Sequence, residues 1–214
     1  MPYFGTSPTS TTTPTTIAAS TTVGDGTAED TKLVFDGNAL DFRIGIDDGT
    51  DKIEIGKGNA HGTTTHLTFD TNGIMTTPLQ SGAYARLSEN KSINNNTLTL
   101  VAWDEEGYDI LNEFASNKFT VTAAGIYSVV AFIGMNLGDG DFLFSGLYKN
   151  GSLTHRTNTR VGAAGDATAI HVANMQLAAS DYLEVKVQHD YGSARNLTGG
   201  NDGAYSYFMI NKIA

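Results

Sequence analysis

Residues 119–135 read FTVTAAGIYSVVAFIGM, and their side-chain parity decides the fold. After Gly125, Tyr127, Val129, Ala131 and Ile133 take one side of an extended strand, and Ile126, Val130 and Phe132 take the other, because successive strand side chains point to opposite faces. A surface strand of a lone sandwich needs only one apolar face. Here the first face fills the core of a β-sandwich, and the second needs cover of its own. A neighbouring copy of the chain is the simplest cover. The stretch therefore predicts an obligate, β-rich oligomer.

The rest of the 214 residues agrees with pleated structure. Glycine is abundant (24 residues), charged residues make up 17%, and Thr, Val, Ile, Phe and Tyr outweigh helix-favouring runs. The chain has no cysteine, so disulfides, thiolate metal sites and a cysteine nucleophile are excluded. A net charge of −10 with thirteen scattered Lys and Arg residues argues against nucleic acid as a partner, since such proteins concentrate cations along phosphates. The opening MPYFGTSP has neither a basic nor an apolar region of a secretory signal. No apolar run approaches the ~20 residues a membrane helix needs. The expectation is a protein assembled in the cytoplasm of the cell that makes it, without membrane insertion.

Three segments are expected: an extended arm (1–31), a β-rich stalk (32–78) and a larger β-domain (79–214). Residues 6–22 are nearly all Thr, Ser and Pro and bury too little to fold alone. The arm is expected to lie against a partner, with Tyr3, Phe4 and Ile17 as apolar anchors. In the stalk, LVFDG (33–37), FRIGID (42–47), KIEIG (52–56) and HLTFDTNG (66–73) read as short strands ending in turn residues. A sheet of about forty residues is marginal alone, and packing around a threefold axis would supply the missing burial. Beyond Pro78 the strands lengthen: LTLVAW (98–103), FLFSGLY (142–148), AIHVANMQL (169–177), YLEVKV (182–187) and AYSYFMI (204–210). Lys149-Asn150-Gly151 is a hairpin turn, because Asn-Gly tolerates positive φ. Seven or more strands joined by Gly, Asn and Asp predict an antiparallel jelly-roll sandwich.

Residues 83–214 resemble the C1q-like domain, a trimeric jelly roll of the tumour necrosis factor superfamily. The likeness rests on Gly107-Tyr108-Asp109, on Asn117-Lys118-Phe119-Thr120-Val121 followed by Gly125-Ile126-Tyr127, and on the turn Lys149-Asn150-Gly151. It continues through Met175-Gln176-Leu177, Ser180-Asp181-Tyr182-Leu183-Glu184-Val185 and the closing Tyr205-Ser206-Tyr207-Phe208. Asn117 and Ser180 stand where that family has glycine, and no collagen stem is present. The phrases DTKLVFDGNA (30–39) and IGIDDG (44–49) resemble stalk modules of tail-fibre proteins from marine bacteriophages. These resemblances imply a homotrimeric virion fibre or spike: the arm bound to other virion proteins, the stalk outward, the head at the tip. They imply a trimer interface of Ile126, Val130, Phe132, Tyr205, Tyr207 and Phe208.

Nothing in the chain reads as a catalytic motif, and a non-enzymatic protein is expected. Glycan cleavage would need paired carboxylates, and Asp104, Glu105 and Glu106 are merely neighbours in sequence. Host-surface attachment to a glycan or protein receptor is the expected activity, with Asp139, Asp141, Tyr191, Arg195 and Asn201 as loop contacts. No cofactor is expected. Calcium is a metal candidate, since some C1q-like trimers hold it near the axis, and Asp202 is the carboxylate in the matching loop; an ordinary turn is the competing reading, as ordinary surface histidines are for a metal shared by His61 and His66 about a threefold axis. A capsid decoration or adaptor without a receptor, and an extracellular C1q-like binding protein, stay open as alternatives.

Overall fold

Alternating apolar and polar residues, punctuated by Gly, Asn and Asp, are realised as strands throughout this computed structural model, which describes residues 22–200 and 205–214. No helix occurs among the described residues. The expected anchors Tyr3, Phe4 and Ile17, the receptor candidate Asn201 and the metal candidate Asp202 lie outside them. The chain divides into two compact units, Met1–Thr77 and Pro78–Ala214.

In the first unit β1 (Thr31–Phe35), β2 (Phe42–Asp47), β3 (Lys52–Lys57), β4 (Thr65–Phe69) and β5 (Met75–Thr76) form an antiparallel meander in chain order. One face is polar and closed by its own loop. Arg43, fully buried, donates to the Glu54 carboxylate at 3.0 Å and to the Lys57 carbonyl at 2.7 Å. The connection between β3 and β4 roofs this pair: the Gly62 N–H donates to Glu54 at 3.0 Å, and His61 Nδ1 lies 3.2 Å from the same oxygen. Gly56 is required beneath it, because a Cβ there would stand 2.8 Å from the Arg43 guanidinium.

Burial opposes the charge on Glu54. Hydrogen bonds from Gly62, Arg43, Thr65 and His61 outweigh that penalty and hold its carboxyl at about 2, below the ordinary 4.5. A depressed folded-state value contributes stability in full above about pH 4.5 and loses it as the pH falls toward 2. Protection factors of the β2 and β3 amides are expected to decline across that window. In Glu54→Gln the decline should be absent; an unchanged profile in the variant would show that another group governs it.

The second unit begins with β6 (Gly82–Arg86), β7 (Lys91–Ile93), β8 (Thr99–Leu100), β9 (Glu105–Asp109), β10 (Phe114–Ala115) and β11 (Lys118–Thr120). The long strands follow: β12 (Gly125–Leu137), β13 (Phe142–Lys149), β14 (Ser152–Arg160), β15 (Gly165–Leu177) and β16 (Tyr182–His189), then β17 (Arg195–Leu197) and β18 (Tyr207–Lys212). One sheet runs β7-β17-β12-β18-β6-β9 with β15 on the other edge of β12; its partner runs β10-β11-β16-β13-β14 with β8 beside β16. The antiparallel pairing of β12 with β15 and of β13 with β16 encloses intervening chain each time, which is jelly-roll winding. Tyr127, Val129, Ala131 and Ile133 are fully buried and cluster with Leu143, Leu147, Leu183, Val185 and Val187. Within the core, Phe119 meets Tyr127 edge-on at 5.9 Å.

Asn117 and Ser180 have φ of 63° and 72°. These are left-handed conformations that glycine adopts without the Cβ crowding another residue meets. Ser180→Gly is expected to stabilise the sandwich by about 1 kcal/mol, read as a higher urea midpoint with unchanged slope.

Candidate subunit interface

Strand parity sends alternate side chains of β12, β15, β18, β6 and β9 away from the core, and the register lines them up. Val172, Val130, Met209, Tyr84 and Tyr108 form one row across the five strands. Ile170, Phe132 and Tyr207 form the next. The rings continue from one to another: Phe132 stacks on Tyr207 at 5.7 Å, Tyr207 lies 6.0 Å from Tyr84, and Tyr84 lies 6.1 Å from Tyr108. Val172 is 74% exposed and Ile170 50%. With Ile126 at 39%, these residues make a contiguous apolar patch of the kind that marks interaction surfaces.

The outer face of the opposing sheet is finished differently. Lys118 caps the Tyr182 ring at 4.5 Å, and Lys186 caps Tyr148 at 4.6 Å. Both lysines pair with the buried carboxylate of Glu184, at 3.4 and 2.8 Å. Charge and cation–π contact seal that side for water. The sandwich of the second unit thus has one solvated outer face and one apolar outer face.

Of the expected interface residues, Ile126, Val130, Phe132, Tyr205 and Tyr207 have outward or partly exposed side chains. Phe208 does not. It is 1% exposed, with Trp103 at 6.3 Å and Phe114 at 6.1 Å from its ring. Adjacent residues of one strand cannot share a face, so the aromatic strand contributes Tyr207 outside and Phe208 inside. Reading from sequence missed Ile170, Val172, Tyr84, Met209 and Tyr108. The signal in β15 was apolar residues at both parities: Ala169 inside, Ile170 and Val172 outside.

The described receptor candidates, Asp139, Asp141, Tyr191 and Arg195, lie on or next to two adjoining loops of the sandwich. A Cβ on Gly138 would lie 2.7 Å from the Asp141 carboxylate and 3.0 Å from the Tyr191 ring, so these two loops adjoin. Arg195 stacks its guanidinium 3.3 Å from the Tyr191 centroid, and each thereby occupies the other. Asp141 accepts the Gly138 N–H at 2.9 Å, a turn-forming bond, while Asp139 is exposed. Among the described residues no group of three His, Asp or Glu side chains is placed to hold a metal. Asp104 and Glu105 each pair with a cation, Lys91 at 2.7 Å and Arg86 at 2.5 Å, and Glu106 is exposed. His171 Nε2 lies 2.9 Å from Ser145 Oγ with both groups buried; burial, then the neighbouring His155, pushes the imidazole pKa down.

No protein-family model matches the chain, and no curated protein matches it. Solved structures do. The structure of Eiger TNF from S. frugiperda is similar at 12% identity and a TM-score of 0.50, over 63% of this chain and 93% of that one. The chain carries a tumour necrosis factor-like, all-β jelly-roll fold. At this identity the likeness extends to the fold and no further.

Proposed function

We propose that this chain is a non-enzymatic structural protein that assembles as a homotrimer through the apolar outer face of β15-β12-β18-β6-β9. One observation carries the reading: one row of apolar and aromatic side chains crosses five strands and a second crosses three, while the opposite outer face is sealed by lysines and Glu184. Obligate interfaces are apolar in this way, and they bury ~2,000–5,000 Å². The trimer serves as a short virion fibre or spike. Its N-terminal residues join other virion proteins, and the adjoining Asp139–Asp141 and Tyr191–Arg195 loops of the head meet a glycan or protein on the host surface. The resemblance of residues 30–39 and 44–49 to phage fibre stalks supports the virion setting, as do the acidic charge and the lack of cysteine.

Light scattering coupled to size exclusion tests the assembly: a mass of three chains is expected, and a folded monomer at micromolar concentration would refute it. Attachment is tested with a chain lacking residues 1–31, added as free protein to a panel of bacterial cells and to a glycan array. Retained binding is expected. A trimer that binds neither would instead fit a decoration or adaptor role.

A further inference from the structure

The meander of the first unit has a hydrophobic face without a hydrophobic core. Leu33, Ile44, Ile55 and Leu67 stand in register across β1 to β4, and Ile46, Ile53, Phe69 and Met75 form a second row across β2 to β5. Phe35 and Phe42 pair at the end, with His66 6.1 Å from Phe42. Among the described residues every buried large apolar side chain lies in the second unit; the buried residues of the meander are Arg43, Glu54, Gly56 and Thr68, on its polar face. The arrangement inverts the usual one, with an ion pair enclosed and the isoleucines left out.

We infer that this face is covered by the same face of further copies of the chain, so that the core of the meander exists only between subunits. The inference rests on the self-assembly proposed above and extends it to a second, separate surface. Three features select the occupant. On this face Leu33, Phe35, Ile46, Ile53 and Met75 are each 45–59% exposed, a bare apolar surface of the kind stable interfaces cover at about 800 Å² per partner. Its centre is free of charge, whereas the polar side spends Arg43 and Glu54 on each other, so a self-complementary apolar contact meets no unpaired ion. The chain before Thr22 is dominated by Thr, Ser and Pro, with Tyr3, Phe4 and Ile17 as its main apolar side chains, too few to fill two rows of four.

The absence of cysteine provides the test, carried out on the full chain. Ile44→Cys places a thiol at the centre of the apolar face, and Lys32→Cys places one on the opposite face of β1, beside Gly45. Under mild oxidant, Ile44→Cys is expected to form covalent dimers at least tenfold faster than Lys32→Cys, with the rate independent of dilution while the assembly persists. Equal rates in a chain whose mass remains multimeric would overturn this inference and leave the head assembly standing. A monomeric wild type would overturn both. Since oxidation could also trap chance encounters, Ile44→Asp is measured in parallel. Ile44 is partly exposed in the protomer, so an aspartate there is tolerated if nothing covers it. Loss of hydrogen-exchange protection across β1–β4 by tenfold or more, with β12 and β16 unchanged, is expected; full retention of protection would equally overturn the inference.

Discussion

Val172→Asp is expected to leave each head folded and to dissociate the proposed assembly. In the protomer this side chain is 74% exposed, so a carboxylate there is hydrated and the sandwich core is untouched. In the proposed trimer the same position would be dry, and a buried charge without a partner costs about 3–5 kcal/mol, or roughly 10²- to several-10³-fold in affinity for each contact. Symmetry repeats the penalty at every interface. The measurement is the mass by light scattering over a concentration series, beside a urea titration of the monomer. A mass as high as wild type at the same dilution would show that β15 faces solvent.

Phe208→Ala has the complementary signature. Its ring lies in the core against Trp103 and Phe114, and deleting a buried phenylalanine side chain costs about 3–5 kcal/mol through lost transfer energy and the cavity left behind. The only tryptophan of the chain is Trp103, so its fluorescence reports the transition directly. Tyr207→Ala, one residue away, removes the stack on Phe132 and the contact with Tyr84. It should lower the mass at a given dilution while shifting the urea midpoint far less. If both substitutions destabilised the protomer equally, the assignment of the two faces would be wrong.

Much of this was readable before any coordinates. The alternation in GIYSVVAFIGM separates Tyr127, Val129, Ala131 and Ile133 from Ile126, Val130 and Phe132, and the two sets fall inside and outside as that parity requires. Lys149-Asn150-Gly151 makes the turn between β13 and β14, with Asn150 and Gly151 at φ of 52° and 78°. Asp181 holds that turn from a distance: Lys149 and Asn150 bind its carboxylate and keep its pKa at about 2. The candidate site was read less completely. Phe208 was placed with its aromatic neighbours when parity alone separates it from Tyr207. The mutual stacking of Tyr191 and Arg195, which ties up two expected receptor contacts, depends on loop geometry that has no local code.

The order of residues by itself determined where most of the long strands run, that Asn150-Gly151 turns the chain, and that β12 carries apolar residues on both faces. Those properties follow from a period of two and from φ preferences, each set within a few neighbouring residues. Only the tertiary structure decided that Val172 stands beside Val130, and Val130 beside Met209, Tyr84 and Tyr108. Those strands lie far apart in the chain, and their register is chosen by packing across the whole sandwich. Scattered apolar residues became a continuous surface at that step.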